Sequence, residues 1–586
     1  MRKYNKIPAL LIMPLFYLSA TAQQNNIAIN QVGYYVYGPK KAVVINNAGA
    51  QYFYVIDAVK KDTAYKGRLG EQQQSLYSSA KTNIADFSAL QRAGQFIIYV
   101  PSTGASYNIT ISNKPFYATG VALIKGYYYQ RVSMPLDEKY AGKWHRPAGH
   151  PDNAVLVHAS AATEKRPTGT VISTPGGWYD AGDYNKYIVN SGISTGTLLS
   201  AYEDFSSYFD TLNTNIPESS NHLPDILDEA LYNIRWMLTM QDPNDGGVYN
   251  KCTNAAFDGM VMPGVTTLPR YVVAKGTAAT LDFAAVMAQT ARITKKLNKL
   301  LPGLSDSCLR AAEYAWQWAL QHPNLQYDQN AINKQYEPKI TTGGYGDNSF
   351  SDEWFWAACE LYITTKSHQY YDTVNKGITL PFTIPSWNSV HALGYYTLLR
   401  NEKEIPANTP VDVAPVKQRL LAFADSLAAG GNKAFATVMG QGKRDFIWGS
   451  NAVAANQGVA LINAYLISGD KKYINATLSN IDYLLGRNAT GYCFVTGLGS
   501  FSTMHPHHRQ SVADGVTEPV PGLLAGGPNP GMQDRTKYTF TEPETAYNDN
   551  DGAYASNEIA INWNAPAVYL VNAIEALQFK VGYSKK

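Results

Sequence analysis

Beyond Phe116 the chain repeats one pattern. Apolar residues recur at three- and four-residue steps in Ile188 to Tyr202, Leu223 to Met240, Ala278 to Thr294, Leu309 to Leu320 and Glu353 to Tyr362, and again in Ser389 to Leu399, Val416 to Ala428, Ala452 to Ile467, Tyr473 to Leu485 and Ala565 to Leu577. Each such segment carries an apolar stripe that must be buried against a neighbour. So many of them, separated by long loops rich in Gly, Asn and Pro, predict a closed ring of helical hairpins. The stretch from Asn26 to Ile111 reads differently: short β-rich runs such as Ala42 to Ile45, Tyr52 to Ile56, Gln95 to Val100 and Tyr107 to Ile111 alternate with turn residues. That is the pattern of a small β-sandwich. At 586 residues the chain exceeds the usual size of a single core, which fits two domains. We place the sandwich at residues 23–113 and the helical domain at 114–586.

The first residues predict export. Arg2, Lys3 and Lys6 precede the apolar run Pro8 to Leu18, and Ser19 to Ala22 then offers small residues of the kind a signal peptidase reads, so residues 1–22 form the expected signal peptide. No cysteine follows the run, so a lipoprotein anchor is not expected, and no later segment is long and apolar enough to span a bilayer. The mature protein is expected in the periplasm or outside the cell, as a monomer. The 49 basic and 46 acidic residues form no long basic run, which argues against nucleic acid as a partner. Forty-two tyrosines and ten tryptophans suit stacking against sugar rings, although a large helical core accounts for part of that load. Cys252, Cys308, Cys359 and Cys493 show no metal-ligand spacing and are expected as buried thiols or one bridge.

The chemistry gathers in the long loops. In GGWYDAGDYNKY, Gly176 to Tyr187, the glycines allow turns that other residues resist, and an apolar helix begins soon after. Asp180 and Asp183 are thus expected just before or in the first helical turn, where amide donors favour ionised carboxylates. One can deprotonate a water while the other helps to hold it. A helix N-cap or a calcium ligand pair are the alternatives for these aspartates. Trp178, Tyr179, Tyr184 and Tyr187 favour a sugar site. Far downstream, Glu558 in YASNEIAINWNA, Tyr554 to Ala565, is the candidate general acid. It is expected to open a helix, whose dipole would lower its pKa; desolvation by Tyr547, Tyr554 and Trp563, or repulsion from Asp549, must overcome that effect. A plain helix cap is the bland reading of a lone Glu there.

MHPHHRQS, Met504 to Ser511, packs three histidines and an arginine together without the register of a zinc motif, so His505 and its neighbours are read as donors to sugar hydroxyls, with a structural loop clip as the alternative. In TGGYGDNSFSDEWFWAACEL, Thr342 to Leu361, Asp347 and Asp352 are candidate calcium ligands, with helix capping by Asp352 the equal alternative.

In this order the blocks closely resemble glycoside hydrolase family 9, the inverting cellulases. YNDNDGAYASNEIAINWNA, Tyr547 to Ala565, resembles the family's acid signature and implies active-site positions for Asp549 and Glu558. GWYDAGD implies Asp183 as base, with Asp180 as its partner on the nucleophilic water. GYCFVTGLGSFSTMHPHHR, Gly491 to Arg509, implies that His507 and Arg509 bind glucosyl hydroxyls. The likeness extends through LAGGPNPGMQD and WGSNAVAANQG, and AINQVGY, Ala28 to Tyr34, resembles the start of an immunoglobulin-like module found in one branch of the family. The implied fold is multidomain: an all-β immunoglobulin-like sandwich followed by an all-α (α/α)6 barrel. Some relatives carry zinc-binding cysteines where this chain has Val132 and Gly149, so zinc is not carried over. No cofactor is expected for the chemistry, and calcium only as a structural ion. No carbohydrate-binding module is evident, so processive attack on crystalline cellulose is not expected.

The reading is an exported endo-β-1,4-glucanase acting with inversion on cellulose-like or mixed-linkage glucans; Trp178, Tyr179, His505, Tyr554 and Arg509 are its expected substrate contacts. The rivals are an exo-acting glucosidase or glucosaminidase on the same scaffold, a non-catalytic glycan-binding protein, and a helical-barrel lyase, against which the excess of carboxylates over cations in the site counts.

Overall fold

The structure is a computed structural model that describes residues 25–406 and 409–585. The expected signal peptide lies outside the described residues.

The N-terminal part is built of two sheets. One runs in the order Ile27–Ala28, Lys41–Ile45, Lys81–Asp86, Gln73–Gln74; the other in the order Tyr34–Tyr35, Ile109–Ser112, Gly94–Val100, Tyr52–Asp57, Thr63–Arg68, with Gly104–Ala105 on its flank. Alternation decides what faces inward. Phe53 and Val55 from one strand and Phe96, Ile98 and Val100 from its neighbour are buried and share one core with Ala42, Val44 and Ala85 of the facing sheet. The last strand ends at Ser112, and the first helix, Tyr117–Tyr129, follows after a short turn.

Every helical stretch read from periodicity is a helix, with ends shifted by a few residues. The helix Ile188–Phe209 packs on Thr277–Lys295 and on Ile561–Leu577. Thr277–Lys295 packs in turn on Leu304–Gln321 and Ser351–Thr365; Ser351–Thr365 packs on His391–Arg400; and Ser450–Ser468 packs on Lys471–Leu484 and Ile561–Leu577. Several of these helices are buried nearly all round, including Thr277–Lys295 and Ile561–Leu577, whereas Leu304–Gln321 and Lys471–Leu484 keep a wet face. A small sheet that periodicity did not show, in the order Val171–Ile172, Val155–Val157, Arg270–Val272, Lys251–Asn254, Lys186–Tyr187, lies at the start of Ile188–Phe209.

The two parts are fastened by polar contacts across a packed seam. Asn30 Nδ2 donates to Asp482 Oδ1 (2.8 Å), Tyr35 OH to Glu575 Oε1 (2.6 Å) and Thr82 Oγ1 to the carbonyl of Ala434 (2.6 Å), while Ala28, Val43 and Ile45 pack against Phe435 and Ala489. All four cysteines are free and buried. Among the described residues no helix is long and apolar enough to cross a membrane.

Candidate active site

Four stretches of chain meet edge to edge. Ala181 pairs with Ala560, His507 with Glu558, and Ala525 with Ile559, each as a single β-bridge. The backbone amide of Ile561 donates to the carbonyl of Asp180 (2.8 Å), and that of Arg509 to the carbonyl of Gly182 (3.1 Å). Gly182 has to be glycine for packing reasons, because a Cβ there would run into the carbonyl oxygen of His507. This stitching brings residues almost 380 positions apart in the chain onto one wall: Asp180, Asp183 and Glu558 all line a cavity of about 510 Å³. Tyr345, Trp387, Trp448 and Trp563 line it too, together with the exposed ring of Phe257.

The aspartates sit in the loop ahead of the helix, not in its first turn: the helix begins at Ile188, after the strand Lys186–Tyr187. Their donors are therefore mostly side chains. Asp180 accepts from Asn190 Nδ2 (2.6 Å) and Tyr345 OH (2.7 Å); Asp183 Oδ2 accepts from Asn185 Nδ2 (2.5 Å) and Tyr187 OH (3.1 Å). Glu558 also departs from expectation. It is an extended residue (φ −65°, ψ 155°) that ends the short helix Tyr554–Asn557, and the next helix starts only at Ile561. It therefore precedes the helix that it was expected to open.

Burial of the carboxyl is the largest influence on Glu558 and pushes its pKa well above the ordinary range; the charges of Asp183 and Asp180 push the same way, against Arg509 and a hydrogen bond from the Gly182 amide. Burial, and then the charge of Asp183, likewise raises Asp180, outweighing the hydrogen bonds from Asn190 and Tyr345. Two carboxyl groups on this wall thus tend to keep their protons, and Asp183 is held between two donors. This is the division of labour that acid–base hydrolysis requires.

A family model described as glycosyl hydrolase family 9 matches residues 120–571, and a second, the cellulase N-terminal ig-like domain, matches residues 22–105. The chain belongs to glycosyl hydrolase family 9. It is 45% identical to the xyloglucan-specific endo-beta-1,4-glucanase BoGH9A of Bacteroides ovatus, over 94% of this chain and 94% of that protein. To endoglucanase D of Acetivibrio thermocellus it is 32% identical, over 93% of this chain and 82% of that one. Among solved structures, the Bacteroides ovatus GH9 protein superposes with a TM-score of 0.88 at 44% identity, covering 94% of this chain and 99% of the other.

Within this family 9 site the remaining expected residues fall into three groups. His507 and Arg509 stand beside Glu558 and Gly182. His507 Nδ1 pairs with the carbonyl of Asp551 (2.5 Å), while Arg509 donates from Nη1 to the carbonyl of Gly182 (2.8 Å) and from Nε to that of Asp258 (2.9 Å). Tyr554 packs on Trp448, with ring centroids 5.4 Å apart, at the cavity rim.

Asp549 takes a holding position. Its two oxygens accept from the amides of Met504 and His505 (2.8 Å each), fixing the histidine loop. His505 is exposed on that loop.

Trp178 and Tyr179 are corrections. Trp178 is fully buried against Tyr127, and the Tyr179 hydroxyl bonds His150 Nδ1 (2.8 Å), so neither ring is available to a sugar. Their backbone carries the motif, but both side chains are packed inside the protein, in different surroundings: Trp178 in the main core and Tyr179 in a small cluster with Val132 and Tyr184.

Asp347 and Asp352, the expected calcium ligands, lie close enough to interact as like charges. Asp347 accepts from the amides of Asn348 and Ser349, Asp352 accepts from that of Val390, and among the described residues no three His, Cys, Asp or Glu side chains gather to hold a metal. Sequence reasoning missed Asn190 and Tyr345, the donors to Asp180. Asn190 sits ten residues on, inside an apolar helix, where a lone Asn could have been noticed; Tyr345 left no signal.

Proposed function

We propose that this protein hydrolyses internal β-1,4 bonds of a glucan with inversion. Asp183 is the base that activates water, Asp180 holds that water with it, and Glu558 is the acid that protonates the leaving oxygen. The observation that carries the reading is the meeting of Glu558 with Asp180 and Asp183 on one wall of an aromatic-lined cavity, Glu558 biased toward its protonated form. His507, Arg509 and Tyr554 bind glucosyl hydroxyls and rings around this centre. The helix pairing described above fits an (α/α)6 barrel, with the sandwich at residues 23–113 as its support, and the N-terminal sequence supports export.

The preferred substrate is a branched glucan of the xyloglucan type. The likeness to a xyloglucan-specific enzyme at 45% identity favours this over the unbranched glucans that the sequence motifs alone suggest. Proton NMR of anomeric signals during the first minutes on xyloglucan, mixed-linkage glucan and cello-oligosaccharides tests it. Initial α-anomer with a spread of oligomers, fastest from xyloglucan, is expected. Glucose as sole product would replace this reading by the exo-acting one, and binding without cleavage by the non-catalytic one.

A further inference from the structure

Lys251 is completely buried. Its ammonium donates to Gln329 Oε1 (2.6 Å), Thr342 Oγ1 (3.0 Å) and the carbonyl of Gly343 (2.6 Å), so all three of its hydrogens go to neutral oxygens. A buried cation without a carboxylate in contact is costly.

The nearby structure shows where it acts. Lys251 stands directly opposite Tyr187 in the antiparallel pairing of Lys251–Asn254 with Lys186–Tyr187, and its ammonium lies 5.5 Å from the centre of the Tyr187 ring. From it, two routes lead to the same oxygen. In one, Gly343, whose carbonyl takes the ammonium, donates its amide to Tyr187 OH (3.1 Å), and Tyr187 OH donates to Asp183 Oδ2 (3.1 Å). In the other, Thr342 Oγ1 shares a hydrogen with Thr253 Oγ1 (2.6 Å), Thr253 Oγ1 reaches both Asn185 Oδ1 (2.9 Å) and the carbonyl of Asn254 (2.7 Å), and Asn185 Nδ2 donates to Asp183 Oδ2 (2.5 Å). Because Lys251 occupies a lone pair of Thr342, the hydroxyl hydrogens of Thr342 and Thr253 can all point down the chain, from cation to carboxylate. The same clamp fixes Thr342 and Gly343 just ahead of Tyr345, which adopts a left-handed φ of 47° while donating to Asp180.

We propose that Lys251 is a positioning residue for hydrolysis: its buried charge orders two chains of neutral donors that converge on Asp183 and so favours that carboxylate as an anion. The inference rests on Asp183 being the base.

The field around Asp183 explains why such help is needed. Asp180, Glu558 and Asp258 all interact with it as like charges. Arg509 faces Glu558 and Asp258, while the groups that oppose Asp183 are Lys251 and His507, whose own pKa is lowered mainly by burial. Around the ammonium the titratable neighbours are Tyr187 and Tyr327. Burial draws the pKa of Lys251 down to about 7, with Asp183 opposing, so it is a full cation throughout the acid range in which a carboxylate base takes up its proton.

The test is the pH profile of kcat/KM on xyloglucan oligosaccharides. In Lys251→Met the acidic limb is expected to move up by roughly one pH unit, so that activity below the limb falls about tenfold, while the basic limb stays in place. A uniform loss of height with both limbs unmoved would assign Lys251 a purely structural role and overturn the proposal. Thr253→Ala keeps the cation and cuts one chain; it is expected to move the acidic limb in the same direction by a smaller amount. If Lys251→Met does not fold, an unmoved limb in Thr253→Ala overturns the proposal by itself. Asp183→Asn is the control on the underlying assignment. If it retains turnover, the base is another residue and the inference falls with it; if it is inactive, the limb positions judge Lys251 alone.

Discussion

A carboxyl that must donate a proton near neutral pH has to be kept out of water and near other negative charge, and Glu558 meets both conditions through burial and its neighbours Asp183 and Asp180. Removing either end of the proton path should therefore be severe without being structural. Asp183→Ala and Glu558→Gln are each expected to lower kcat about a thousandfold, within the usual range for lost acid–base groups, with melting temperature unchanged; steady-state kinetics and calorimetry check both. Burial also acts away from the site. Asp282 and Glu353 are wholly buried, no donor reaches their carboxylate oxygens apart from the carboxyl of Asp352 beside Glu353, and burial together with repulsion within the group formed with Asp352 and Asp347 raises both pKa values strongly. Because the folded values lie above the unfolded ones, the stability tied to this pair is fully present below the unfolded value near 4 and is lost as pH rises toward the folded value. In a chelating buffer, Glu353→Gln should thus raise the melting temperature at pH 8 by about 2 °C or more and change it little at pH 4.

Among the elements, the decisive ones for the site are four irregular strands, not helices. The helices were legible because burial imposes a period of 3.6, which survives in Thr277–Lys295 and Ile561–Leu577 even though both are buried nearly all round. The single-residue bridges Ala181 to Ala560 and His507 to Glu558 have no period and left no trace, and neither did the short sheet that carries Tyr187 and Lys251. Trp178 and Tyr179 show the same blind spot, since an aromatic beside a catalytic motif can face either side of the strand. The closest of these contacts makes a prediction. Gly182→Ala places a methyl group against the His507 carbonyl and must push the histidine loop away from the aspartates. A loss of kcat of at least about tenfold, with the fold retained by circular dichroism, is expected, because small displacements of reacting groups cost rate steeply.

At the level of the whole molecule the sandwich is part of the site's support. Gln31, in the motif AINQVGY, reaches across the seam: its Nε2 donates to the carbonyl of Gly491 (2.7 Å), and its Oε1 accepts from the amides of Ser500 and Phe501 (2.9 and 2.7 Å). These bonds close the turn from which the chain runs on to His507 and Arg509. Gln31→Ala removes the acceptor of two partly buried or exposed amides and the donor to the Gly491 carbonyl, at a cost of about 1 kcal/mol. The melting temperature should fall and kcat should fall with it, which differential scanning calorimetry and turnover on one preparation would show; a change in stability alone would separate the sandwich from the site.

What the sequence determined by itself was whatever repeats or whatever is chemically rare: the helical period, the alternating strands ahead of it, and carboxylates set among glycines and aromatics. What only the tertiary structure decided was which groups meet. Glu558 came to precede the helix it was expected to open, Asp549 became the holder of a loop, Asp347 and Asp352 accepted from amides, and Lys251 was found near Asp183, because contacts between residues hundreds of positions apart depend on packing that no local pattern encodes.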